Sequence, residues 1–231
     1  MFPLFYDPYF FLILIGMGLS ALASMFVQST FSKYSRVLSQ SNLTGEQAAK
    51  AILADQTIQN VTIHAIEGNL TDNYNGQNKT LNLSEATFDN SSVAAVGVAA
   101  HEVGHAIQDA SDYAPMRLRA RIVPVANLGA SLSMPLILIG VLLGMNQTLI
   151  NIGILAFAAV LLFQVVTLPV EFDASRRAVV SLKNQKLLTE TELSAVKKVL
   201  TAAAFTYIAS ALSTFLQLLR LVLLFTNRNN D

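Results

Sequence analysis

The sequence predicts a mainly α, multi-pass membrane protein with about four transmembrane helices and a small cytoplasmic α+β portion. Three observations carry this expectation. Hydrophobic residues fill 53% of the 231 positions and charged residues only 13%, with a mean hydropathy of +0.49, a balance that suits a bilayer better than water. Four segments approach the ~20 apolar residues that a helix needs to cross ~30 Å of hydrocarbon. Of the 15 Lys and Arg residues, 13 fall between Lys33 and Arg121 or between Arg176 and Lys198, and the positive-inside rule assigns both stretches to the cytoplasm.

The first apolar segment runs from about Tyr9 to Val27. Ala21-Leu22-Ala23 resembles a signal-peptide cleavage site, but nothing basic precedes the segment and its apolar run is long, so a retained span over residues 1–28 is expected. A cytoplasmic portion follows over 29–121. Within it Thr44-Gly45-Glu46-Gln47 forms a capping box for a helix through about Asp55. Val61 to Ile66 alternates in polarity, as does Lys79 to Ser84, and the turn-rich stretch from Gly68 to Gly76 between them predicts an antiparallel pair. The next helix starts from an Asn90 or Ser91 cap and runs through Gln108; it is apolar on every face from Val93 to Ala100 and so must be buried. Ile122 to Met145 and Leu149 to Val170, joined by the uncharged Asn146-Gln147-Thr148, predict a transmembrane hairpin over 122–170. Residues 171–198 return to the cytoplasm. The last span, about Val199 to Phe225 within 199–231, carries Thr206, Ser210, Ser213, Thr214 and Gln217, which should face other helices rather than lipid. Its Arg220 lies near an edge where it can snorkel. The N-terminus, the hairpin turn and the tail with Arg228 then face outward. Seven Asn-x-Ser/Thr triplets are chance occurrences in an Asn-rich chain whose loops face the cytoplasm.

Composition also excludes whole classes of chemistry. With 15 basic and 15 acidic residues there is no global positive field for nucleic acid. The absence of cysteine removes disulfides and thiolate metal sites. Function must come from local constellations, and His101-Glu102-Val103-Gly104-His105 holds two of the three histidines. On a helix, residues i and i+4 share a face, so both rings can ligate one ion while Glu102 points to a water beside it. Zinc on three protein ligands lowers the pKa of its water to about 7, and a neighbouring carboxylate can take the proton as a peptide carbonyl is attacked. The expectation is one zinc ion per chain on His101 and His105, with Glu102 as catalytic base, in a zincin-like catalytic portion. The alternative is a pair of hydrogen-bonded core histidines.

Two histidines do not complete a zinc site. The metzincin pattern is ruled out because its downstream glycine and histidine positions hold Gln108 and Ser111. His64, the remaining imidazole, reads more readily as a structural histidine in a strand. Glu171 is the better candidate: it stands where the third apolar segment re-enters the cytoplasmic side, and an unpaired carboxylate beside hydrocarbon is costly. Its bland reading is a helix-start carboxylate favoured by the dipole. Asp173 falls on nearly the opposite face from Glu171 and pairs with Arg177 as an ordinary surface ion pair. Ser175 shares the Glu171 face and could orient that carboxylate.

These residues resemble the neutral zinc metallopeptidases of bacterial membranes, the YugP-like group. The resemblance runs in order through Leu70-Thr71-Asp72, Lys79 to Glu85, Val98 to Gln108, Arg121-Ile122-Val123-Pro124 and Leu168 to Arg177, and so covers nearly the whole chain. It implies an integral membrane metallopeptidase with His101, His105 and Glu171 on zinc and Glu102 as base. The Glu171 segment is also similar to the third-ligand helix of HtpX-type membrane proteases, although an acid usually stands where this chain has Ser175. Asp72-Asn73-Tyr74-Asn75-Gly76 departs from a family pattern that more often shows a histidine and a proline.

The function expected is a membrane-embedded zinc endopeptidase acting on a protein or peptide held along an edge strand at Lys79 to Ser84. Tyr207 and Arg176 are the polar candidates for stabilising an oxyanion. A structural-zinc or inactive scaffold is the rival reading, opposed by an intact Glu102 and a ligand set that leaves one position open. A transporter is opposed by the small number of spans and the lack of an ion path through them.

Overall fold

The computed structural model describes residues 7–226; Arg228, the tail around it and the outermost N-terminal residues lie outside them. The order of elements is α1 (Phe10–Tyr34), α2 (Gly45–Asp55), β1 (Thr62–Ile66), β2 (Asn73–Asn75), β3 (Thr80–Ser84), α3 (Val93–Ala110), α4 (Ala114–Leu142), α5 (Gln147–Asn184) and α6 (Glu190–Thr226). The protein is mainly helical, as predicted. Four helices, α1, α4, α5 and α6, are long and apolar enough to cross a membrane. Each matches one of the predicted spans and extends beyond it at one end or both, except that α4 stops at Leu142, short of the expected Met145, where Gly144 (φ 75°) and Met145 (φ 66°) turn the chain. At the start of α6, Thr189 and Glu192 cap reciprocally: Thr189 N donates to Glu192 Oε2 at 2.8 Å and Glu192 N to Thr189 Oγ1 at 3.3 Å.

The chain divides into two compact units. The first comprises Met1–Ser24, Leu118–Leu168 and Thr206–Asp231. Its buried centre includes Ile137, Ile150, Leu221 and Phe225, while Phe11, Leu14, Met17, Leu128, Leu138 and Leu155 point outward about half exposed, as a lipid-facing surface requires. The hydroxyls of α6 do face other helices: Ser213 Oγ donates to Gly16 O at 2.7 Å and lies 2.9 Å from Ser20 Oγ, and Gln164 Nε2 donates to Ser210 Oγ at 3.1 Å. Arg220 pairs with Asp7, Nε to Oδ2 at 2.5 Å, so its charge is met by a carboxylate.

The second unit comprises Met25–Arg117 and Pro169–Phe205. Helix α3 forms its axis, buried from Val93 to Gln108 apart from Val98 and His101, which are only partly covered. Ile52 of α2, Leu81 and Leu83 of β3, Ala178 and Leu182 of α5, and Val196 and Leu200 of α6 share its core. Thr44 and Gln47 form the predicted capping box of α2. The cap of α3 is Ser92, whose Oγ accepts from Ala95 N at 3.2 Å; the expected Asn90 instead accepts from Ser92 N at 2.8 Å and holds the cap in place.

The sheet differs from expectation. Its order is β1-β3-β2, with β1 parallel to β3 and β2 antiparallel to it. The segment between Gly68 and Gly76 is more than a turn: Gly68 (φ 105°) and Leu70 (φ 57°) reverse the chain, and Asn73–Asn75 then takes one side of β3, leaving β1 the other. Lys79 to Ser84 is consequently the central strand and has no free edge to offer a substrate.

Glycines set the closest approaches in this unit. A Cβ on Gly104 would lie 2.4 Å from Ala174 O on α5, whereas one on Gly18, in the first unit, would meet nothing within 4 Å. Gly104→Ala should therefore destabilise the fold by about 1–3 kcal/mol through overpacking. A lowered thermal midpoint beside an unchanged Gly18→Ala control checks this.

Candidate metal centre

The Gly104–Ala174 contact brings two turns of α3 against one face of α5. Glu171, Ala174, Ser175 and Ala178 share that face by their spacing, and Ala174 and Ala178 are fully buried in it. Glu171 Oε2 reaches 3.2 Å from His101 Nε2 and 3.5 Å from His105 Nε2. One ligand atom from each of the three residues lies within 4.8 Å of the others. The three predicted ligands are thus brought together, whereas His64 is exposed on β1 with its Nε2 3.2 Å from Thr62 Oγ1. Glu171 lies deep inside α5, which starts at Gln147, so the helix-start reading of this carboxylate does not apply.

The far nitrogens of both rings are held. His101 Nδ1 lies 3.1 Å from Ser175 Oγ, so Ser175 orients a histidine rather than Glu171 as expected. His105 Nδ1 lies 3.0 Å from Gln108 Oε1, and the amide of fully buried Gln108 donates to Val170 O at 2.8 Å and Asp173 Oδ2 at 3.0 Å. The two bonds made by Nε2 fix which end of the Gln108 amide is the oxygen, and an amide oxygen only accepts. His105 Nδ1 is therefore the donor to Gln108, and Nε2 is the nitrogen that faces Glu171. Gln108 was read from the sequence only as a missing metzincin glycine; its one signal was the i+3 spacing from His105.

Asp173 is likewise more than a surface ion pair. It is buried, accepts from Arg177 Nε at 2.5 Å and from Arg176, and takes the Gln108 amide. Arg177 in turn lies over the Tyr113 ring, 5.4 Å from its centroid, and donates to Ser111 Oγ at 3.2 Å. These contacts lock the C-terminal turns of α3 onto α5. Arg176, considered as an oxyanion donor, is bonded to Asp173; Tyr207 belongs to the first unit.

Glu102 is buried beside the two histidines. Burial pushes its carboxyl above the usual range, the two imidazoles oppose the shift, and Glu171 and Asp72 add to it. Burial disfavours the charged form of His105, yet its hydrogen bond to the Glu171 carboxylate and the charge of Glu102 outweigh burial and raise its pKa. Two buried carboxylates, Glu102 and Glu171, beside two imidazoles suit a divalent cation. The donor set also fits zinc in size, since a tetrahedron with bonds of 2.0–2.2 Å has ligand atoms roughly 3.3–3.6 Å apart, close to the two separations from Glu171.

Fold and site together define a class: a mainly helical protein with four candidate membrane spans and a His-His-Glu group, on α3 and α5, that could hold a metal ion. The chain belongs to the family described as "Putative neutral zinc metallopeptidase", which matches residues 9–226. It is 40% identical over 223 residues to "Putative membrane protease YugP" of Bacillus subtilis (strain 168), covering 96% of this chain and 99% of that protein. No solved structure matches it.

Gln108→Leu removes the acceptor that fixes His105. Zinc affinity should fall about 10–100-fold, read by competition with a chromophoric chelator on detergent-purified protein.

Proposed function

We propose that the protein is a membrane-embedded zinc endopeptidase, with His101, His105 and Glu171 holding one ion and Glu102 acting as general base on the cytoplasmic side of the membrane. The observation that carries this reading is the meeting of the three ligand atoms next to a buried fourth side chain, Glu102, that can serve as a base. The basic stretches between Lys33 and Arg121 and between Arg176 and Lys198 support the cytoplasmic placement. On this reading residues 29–121 and 171–198 form the catalytic portion, residues 1–28 and 122–170 lie in the membrane, and residues 199–231 hold the fourth transmembrane helix and a short tail.

When bound, zinc would supply Lewis acidity to the scissile carbonyl and acidify a water. The chain's own residues do the rest. The Glu102 carboxylate takes a proton from the attacking water as the C–O bond forms, and returns it to the leaving nitrogen as the C–N bond breaks. Burial makes that carboxylate a stronger base than one in water. Gln108 and Ser175 hold the imidazoles with Nε2 inward, so the ligand set does not reorganise during turnover. The substrate class is protein or peptide, in keeping with the family's description.

Glu102→Gln should retain one zinc per chain while casein cleavage falls at least ~100-fold. Glu171→Gln should lose the metal. Chelation should abolish cleavage in the wild type and added zinc restore it. Full activity in Glu102→Gln would sink the assignment of the base.

A further inference from the structure

The apolar run of α6 begins at Val199, directly after Lys197 and Lys198, and α1 carries Lys33 in its last turn. In the second unit these lysines converge on one open groove of about 570 Å³. No carboxylate lines it among the described residues. Lys33 lies over the Tyr34 ring, 5.4 Å from its centroid, but none of the three lysines is paired with an acid among the described residues. Ser194 and Thr201 add hydroxyl donors to the wall. Phe26 closes one side and stacks edge-on against Phe205 at 5.7 Å.

Three exposed lysines lining one open groove offer an anion three ammonium donors, and the serine and threonine hydroxyls can donate to its oxygens. The apolar side adds information that a free anion would not need. The groove stands where the apolar runs of two candidate spans give way to lysine, which is the level of lipid headgroups. We infer that this groove binds the phosphate of an anionic phospholipid, with Lys33, Lys197 and Lys198 on the headgroup and Phe26 against the acyl stem. The inference rests on the chain's membrane association and is independent of the metal centre.

Full-length protein, delipidated in detergent, would be titrated with phosphatidylglycerol or phosphatidylcholine and followed by native mass spectrometry. Wild type should retain one phosphatidylglycerol per chain in preference to phosphatidylcholine. Lys197→Gln/Lys198→Gln should weaken retention about 25-fold and Lys33→Gln, on the other helix, roughly fivefold. Lys50→Gln, which removes a lysine already paired with Glu46 on α2, should bind as wild type. Because Lys33 is exposed, its variant decides the matter if the double variant fails to fold. Equal retention of the zwitterionic lipid, or lysine variants that bind like wild type, would overturn the inference. So would inorganic phosphate binding with the same lysine dependence and displacing the lipid, which would make this a soluble-anion site.

Discussion

Two glutamates buried within reach of the same pair of imidazoles form the interaction around which the second unit is organised. Glu102 and Glu171 are 8% and 3% exposed, and burying even one carboxylate without a partner costs several kcal/mol. The imidazoles offset part of that cost when Nε2 is protonated and donates to Glu171. A divalent cation offsets it far better, because it meets both negative charges and the imidazole lone pairs at once. The surroundings follow from this need. Gly104 lets α5 come close enough for Glu171 to reach the rings, and its neighbour Ala174 is small for the same reason. Gln108 and Ser175 then hold the rings from behind.

The contact that orients His105 is itself anchored. Gln108 is gripped by a backbone carbonyl and by Asp173, and Asp173 by two arginines. This gives a chain of hydrogen bonds from the His105 ring through α5 and back to Ser111 at the end of α3, with Arg177 also lying over the Tyr113 ring. Such a network fixes ring orientation before any ion arrives, which is what a metal site needs if binding is not to involve reordering of its ligands. The same helix, α5, carries a candidate span and Glu171, so the chain brings this proposed third ligand to the histidines by continuing a candidate span rather than by building a separate element.

Much of this was legible in the sequence because it rests on local or one-dimensional signals. Span length and apolarity set α1, α4, α5 and α6; the Thr44–Gln47 box set the start of α2; the spacing of His101 and His105 set two ligands; and the cost of a carboxylate beside hydrocarbon singled out Glu171. What was missed depends on three-dimensional pairing. Alternation in β1 and β3 reports that each is a strand but says nothing about direction, and the short β2 was hidden in a stretch rich in Asn and Gly. Asp173 looked like a surface ion pair because Arg177 follows at i+4, while its third partner, Gln108, comes from a different helix. Ser175 was placed on the correct face, yet helix geometry could not say that the His101 ring would reach it before Glu171 did.

X-ray absorption at the zinc K edge, on detergent-purified protein, reads the ligand set itself. A site built from His101, His105 and Glu171 gives a first shell of nitrogen and oxygen donors at about 2.0–2.1 Å, with the multiple-scattering signature of two imidazoles. A third imidazole in the shell, which only His64 could supply, or a folded protein that takes up no zinc, would contradict that ligand set.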